Sequence, residues 1–404
     1  MSLGMGSATS RRVGLAWARG ALAMLLLLGG AACAQLDRLP AVAAIDTDRA
    51  AVDGIPKARF LPNDISEMNA FARSLYEREK AYPASRVRAG APDYSLAISG
   101  GGDNGAFAAG LLVGWSEHGD RPSFTIVNGI STGALIAPLV FLGPEFDQAL
   151  AGMYTTIDQQ DVFQKRPLLA GLASDALADS TPLQNMIAKY LDEGLVARIA
   201  DESRRGRALL IITTDLDAGV PVIWNIGAIA ESGRPDSVAL IRKILLASAS
   251  VPGLFPPVMI DVTVDGVRHQ EMHVDGGASA QAYLYPAALQ VGKIPNGARA
   301  RPRIAYVIRN GRLTEDWGEV ERRTASIATR AVATLTTNSG VGDLYRIYAL
   351  AKRDGLHMQF AYIGDDFTQA HPAEFDRDYM IKLFEYGRTK AHNGFPWRSA
   401  PPGL

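Results

Sequence analysis

From Tyr94 onward, short apolar runs alternate with longer stretches whose apolar residues recur every three or four positions, the pattern of strands joined by helices. Tyr94–Ile98 predicts the first strand. A glycine-rich turn follows, and then a helix from Ala106 to about Glu117. Phe124–Val127 predicts a second strand, with a new helix beginning at Ala134. Further strands are predicted at Ala208–Thr213, Val220–Trp224, Val258–Val264, Met272–Val274, Ile304–Ile308 and Met358–Ile363. Asp265-Gly266 between two apolar stretches has the chemistry of a tight hairpin, which places an antiparallel pair beside a mostly parallel sheet. The fold class is α/β.

The segment between the second helix and Ala208, residues 147–205, is mostly helical in pattern and reads as a crossover connection in preference to a lid. Two late helices, from about Gly318 to Lys352 and from Ala373 to His392, have apolar faces that read as core. Upstream, residues 35–92 are mixed and proline-punctuated, with one helix from about Asp64 to Lys80 carrying Met68, Phe71 and Leu75 on its apolar positions. They form an extension, packed against the domain or spacing it from a membrane. Residues 93–395 make one domain.

Residues 1–34 have a different character. Arg11, Arg12 and Arg19 precede an apolar run, Gly20–Ala32, that is short for a membrane span and fits a bacterial export signal. Cys33, the single cysteine of the chain, follows small residues as a lipoprotein processing site requires, although Gly30 stands where a branched residue is usual. Simple cleavage after Ala34 is the rival reading, and Arg11-Arg12 also permits twin-arginine export. With one cysteine no intrachain disulfide forms, so stability rests on the core. At 48% hydrophobic residues over 404 positions that core is substantial, and a formal charge of −1 gives no pull toward nucleic acid.

Three glycine-flanked motifs carry the candidate chemistry. Gly129-Ile130-Ser131-Thr132-Gly133 lies between a predicted strand and a predicted helix, where a serine projects from a tight turn and glycines relieve crowding. Gly100-Gly101-Gly102-Asp103-Asn104-Gly105 also joins strand to helix, so its N–H groups can meet an oxyanion; one such donor is typically worth about 3 kcal/mol in the transition state. No Gly-Lys-Ser or Gly-Lys-Thr follows, which argues against a nucleotide P-loop. Asp275-Gly276-Gly277 ends a predicted strand and supplies a carboxylate. An ordinary aspartate, with a pKa of about 4, is a poor base for a serine hydroxyl, so the pairing demands direct contact and desolvation.

Between the serine and the aspartate, Ala247-Ser248-Ala249-Ser250 runs into Pro252-Gly253-Leu254-Phe255-Pro256-Pro257. In this order and spacing, over roughly Tyr94 to Ala278, the chain resembles the patatin-like phospholipase family. The resemblance implies a three-layer α/β/α fold and hydrolysis of lipid acyl esters without metal or other cofactor. It implies Ser131 as nucleophile, Asp275 as base and Gly100, Gly101 and Gly102 as the oxyanion loop, with Gly105, Gly129, Gly133, Gly276 and Gly277 supporting the motifs. The chain departs from the family pattern at Ser99, where Asp is common, and at Asn104, where Arg or Lys is common, which leaves the head group open.

The expected partners are a lipid or phospholipid substrate and a membrane surface at the cell envelope; oligomeric state is left open. Two rival readings remain. One is a Ser-Asp-His esterase on small soluble esters, with His357, His371 or His392 as the third member; the other is a lipid-binding lipoprotein of the same fold without turnover. His269 and His273 stand four apart but in a predicted hairpin, so no metal pair is expected.

Overall fold

The computed structural model describes residues 36–82, 91–167, 174–296, 301–314 and 317–404. The segment expected to be an export signal, and Cys33, lie outside them. Among the described residues one nine-stranded sheet forms the middle layer. Its strands are β1 (Arg59–Phe60), β2 (Asp93–Ile98), β3 (Ile126–Ile130), β4 (Ala208–Asp215), β5 (Val220–Asn225), β6 (Val258–Val264), β7 (Val267–Asp275), β8 (Arg303–Arg309) and β9 (His357–Tyr362). The principal helices are α1 (Ile65–Ala81), α2 (Gly105–His118), α3 (Thr132–Leu142), α4 (Ser237–Ser248), α5 (Thr324–Asp354) and α6 (Arg377–His392).

Strands β4, β3, β2, β8 and β9 run parallel in that order. Antiparallel β5 and β1 extend the sheet beyond β4, while the β6–β7 hairpin joins β4 at its C-terminal end. Alternation along the strands divides the core. Leu96, Ile98, Val127, Leu209 and Ile211 face α2, α3, α4 and α6. On the opposite face Ile130, Leu210 and Ile212 pack with Met68, Phe71 and Leu75 of α1, and Ala97, Ala305 and Val307 pack with Leu344, Ile347 and Ala351 of α5. The architecture is therefore a three-layer α/β/α sandwich with a mostly parallel sheet.

The hairpin turn is as its chemistry predicts: Asp265 and Gly266 both have positive φ, 50° and 80°, matching the twist of the paired strands β6 and β7. The crossover from α3 to β4 includes helices at Asp147–Thr155, Thr181–Tyr190 and Glu193–Arg204. The core expectation for the late helices holds for α6 and the C-terminal half of α5. It fails for the N-terminal half of α5, which stands off the sheet with Ile327, Val332 and Leu335 exposed. The sequence pattern continues through both halves; only the second half finds a sheet to pack on.

The extension is docked on the domain. Arg59 of edge strand β1 pairs with Trp224 of β5, and its guanidinium stands over the Trp224 ring. It also forms a buried ion pair with Glu271 of β7, whose carboxylate accepts from His273 at 3.0 Å. Burial alone would raise the Glu271 carboxyl, but His273 and Arg59 together hold it below its ordinary pKa. Arg59→Leu leaves that charge buried with its cation gone and is expected to lower stability by about 3–5 kcal/mol. A shift in the urea unfolding midpoint measures this, and an unchanged midpoint would show that the ion pair contributes nothing.

Candidate active site

The serine turn follows from close packing. β3 ends at Ile130 and α3 begins at Thr132, and Ser131 between them has φ 55° and ψ −124°. A side chain rarely adopts this conformation, which costs on the order of 1–3 kcal/mol. The turn is forced by contact on the far side. A Cβ on Gly133 would lie 2.3 Å from the Ile98 carbonyl oxygen, so the first turn of α3 presses directly on the end of β2. The Ser131 N–H donates to Ser248 Oγ at 3.1 Å, and the Ser248 hydroxyl donates to the Ile212 carbonyl at 2.7 Å. Ser248, fully buried at the end of α4, thus ties the serine turn to β4.

Sheet register brings the carboxylate there. Ile130 pairs with Ile212 on one edge of β4, and one residue further Thr213 pairs with Asp275 of β7. Ser131 and Asp275 therefore flank the same stretch of β4. The Asp275 N–H donates to the Ser250 carbonyl at 2.8 Å, and Asp275 Oδ1 accepts from the Gly277 N–H at 2.7 Å. Oδ2 is buried without a hydrogen-bond partner among the described residues. Burial pushes the Asp275 carboxyl up to about 6, with the neighbouring Ser131 hydroxyl and the Gly277 N–H pulling the other way. The hydroxyl is thus felt by the carboxyl although no hydrogen bond of ordinary geometry closes between them, as is common before substrate binds.

The glycine loop lies against the serine: a Cβ on Gly100 would stand 3.2 Å from Ser131 Cβ. Its three leading glycines differ. The Gly100 N–H is already donated to the Gln281 carbonyl at 3.0 Å. Those of Gly101 and Gly102 meet no acceptor among the described residues, and Gly102, at φ 58°, holds the left-handed turn that aims them. Asn310, just beyond β8, holds the loop from behind, donating from its N–H to Ser99 Oγ at 2.8 Å and from Nδ2 to the Ser99 carbonyl at 2.9 Å. Gln281 links this loop to the aspartate turn, since its Nε2 donates to the Gly277 carbonyl at 2.8 Å. Sequence reading had no signal for Ser248, Gln281 or Asn310 as positioning residues.

A cleft of about 870 Å³ opens at the loop, with Gly100, Gly101 and Asn104 on one side and Arg309, Arg312 and Arg330 among its walls. Arg309 is buried, and burial lowers its pKa; its Nε donates to the Arg312 carbonyl at 2.9 Å. Asn104, the departure noted above, accepts from the Tyr379 hydroxyl at 2.7 Å.

The histidines stand elsewhere. His371 pairs with Asp103 through Nε2 at 2.7 Å, a bond that raises its pKa, and stacks on Tyr379 at the cleft wall. His392 lies beside Glu117, and His357 is exposed at the start of β9. His273 is buried with Nδ1 against Thr213 Oγ1 at 2.9 Å and Nε2 against Glu271, while His269 Nδ1 meets the Ala41 carbonyl at 3.1 Å.

A serine on a strained strand-to-helix turn, a desolvated carboxylate and a loop of unengaged N–H groups, all at the C-terminal end of a parallel sheet in three layers, define an acyl hydrolase fold. Residues 96–288 match the patatin-like phospholipase family model, so that stretch is a patatin-like phospholipase domain, a kind of domain whose general activity is lipid acyl hydrolysis. Among solved structures the chain is similar to VipD from Legionella pneumophila, at 12% identity and a TM-score of 0.38, over 75% of this chain and 67% of that one. No curated protein matches the sequence.

Proposed function

We propose that Ser131 and Asp275 form a catalytic dyad that cleaves acyl esters of phospholipids or lysophospholipids. Asp275 Oδ2 accepts the Ser131 proton as Oγ attacks the ester carbonyl, and the N–H groups of Gly101 and Gly102 receive the developing oxyanion. The leaving alcohol takes the proton. Water, deprotonated by the same carboxylate, then attacks the acyl carbonyl, and the carboxyl returns that proton to Ser131 Oγ as the fatty acid leaves. The observation that carries this reading is the register that sets Ser131 beside the buried, unpartnered Oδ2 of Asp275. The positive charge of Arg309, Arg312 and Arg330 in the cleft wall supports an anionic head group, although the Arg309 and Arg312 guanidiniums also donate to backbone carbonyls. The proposed setting is the cell envelope, on the strength of Gly20–Ala32 and Cys33.

A hydrolysis panel of phospholipids, lysophospholipids and short-chain esters tests the proposal in wild type and in His357→Asn, His371→Asn and His392→Asn. The phosphate-bearing lipids are expected to be turned over best. His357→Asn and His392→Asn should retain activity within about twofold, and His371→Asn, which loses its bond to Asp103, within about tenfold. A loss of a thousandfold or more in any of the three points instead to a histidine-assisted esterase.

A further inference from the structure

We infer that the outer face of the N-terminal half of α5 docks on a lipid bilayer and holds the mouth of the cleft against it. The inference rests on the lipid hydrolase reading above, because the cleft is what makes the position of this face meaningful.

The half-helix has two faces. Arg330, Ala333, Thr336 and Thr337 line the cleft. On the other side Ile327, Ala331 and Leu335 recur at i, i+4 and i+8, with Ala328 and Val332 one position on, an apolar stripe of roughly 140° at 100° per residue. Ile327, Val332 and Leu335 are 52%, 62% and 70% exposed. Trp317, in the segment leading into the helix, is 90% exposed, and Val320 between them is 41% exposed. Large side chains scattered singly on a surface need no explanation, but a continuous stripe beside a cleft marks an interaction face.

Charge selects a bilayer as the occupant. From Thr324 to Gly342 the helix carries no acidic residue, and its one charged side chain is Arg330. Arg322 and Arg323 stand exposed just ahead of it, Glu321 paired to Arg323 at 3.3 Å, and Glu315, Asp316 and Glu319 precede them in sequence. An exposed apolar stripe with basic residues at its border and an aromatic ring at its edge is the composition of a helix that lies in the lipid interface. Among the described residues no helix is long and apolar enough to cross a membrane, so the face can lie on a bilayer without spanning it. Its continuity with the cleft then sets the scissile ester near the headgroup layer.

The test uses the exported Cys33→Ser protein, so that no attached lipid contributes, and phosphatidylcholine vesicles with one quarter phosphatidylglycerol. With Ser131→Ala added to prevent hydrolysis, the protein is expected to co-sediment with vesicles, and Ile327→Asp/Val332→Asp/Leu335→Asp to bind at least tenfold more weakly. Trp317 emission should shift to the blue on vesicles, a shift absent in Trp317→Phe. With Ser131 intact, the triple variant should lose at least tenfold on vesicle phospholipid while turning over a water-soluble short-chain ester within twofold of its parent. Undiminished vesicle binding by the triple variant overturns the inference. So does a parent that is dimeric by light scattering and becomes monomeric in the triple variant with vesicle binding unchanged, since a second copy then covers the face. Absence of turnover on every ester with vesicle binding still lost in the triple variant counts against the dyad and leaves the docking face standing.

Discussion

Ser131→Ala is expected to fold as wild type does and to lose roughly ten-thousandfold or more in kcat toward lipid esters. The substitution removes one oxygen. The backbone bond from residue 131 to Ser248 Oγ survives, as do the contact of Gly133 with β2 and the helix that follows. Alanine bears the same positive φ that Ser131 now bears, so stability should change little. Reaction with a fluorophosphonate probe should disappear together with turnover. Activity near that of wild type would remove Ser131 from the mechanism, and a lowered melting temperature with partial activity would assign it to the fold instead.

Asp275→Asn is expected to abolish activity on a comparable scale while making the protein more stable at neutral pH. An asparagine fits the site, since its carbonyl oxygen can still accept from Gly277 and its amide takes the place of the unpartnered Oδ2. It cannot take the proton. The stability gain follows from linkage. With the folded pKa raised to about 6 from an ordinary value of 3.8, the native state binds the proton more tightly than the unfolded chain. That contribution is fully present below the unfolded pKa and is lost as pH rises through about 6. At pH 8 the ionised carboxylate therefore costs on the order of 3 kcal/mol, which the neutral amide does not. The same pKa sets the rate profile: kcat/KM in wild type should fall as pH drops through about 6, because the protonated carboxyl is no base. Denaturant melts and rate profiles of both proteins from pH 4.5 to 9 check this. A mutant no more stable than wild type at pH 8, or a wild-type profile flat down to pH 4.5, contradicts it.

How far the molecule could be read in advance depended on the range of each interaction. The parallel strands were legible because a strand covered on both faces is apolar throughout, and Asp265-Gly266 because a two-residue hairpin constrains its own residues. The motifs around Ser131, Asp275 and Gly100–Gly102 were legible as local turn chemistry. Their supports were not. Ser248, Gln281 and Asn310 are single polar residues whose partners lie far along the chain, and nothing near them in sequence marks the bond. The engagement of the Gly100 N–H by Gln281 is of the same kind. Strand β1, at two residues, is too short to show a period. The apolar stripe of α5 was visible as a period, but a period cannot say whether the surface it meets belongs to the protein.

Strand β1 also separates two boundaries that are easily taken for one. The stretch that matches the patatin-like family starts at residue 96, whereas Arg59, which neutralises Glu271 within the strand that ends in Asp275, lies well upstream of it. Helix α1 similarly seals the sheet face behind the serine strand. A protein cut to the matching segment would keep both members of the proposed dyad and lose the ion pair that anchors the strand carrying one of them. Its inactivity would then report a missing buttress, not missing chemistry.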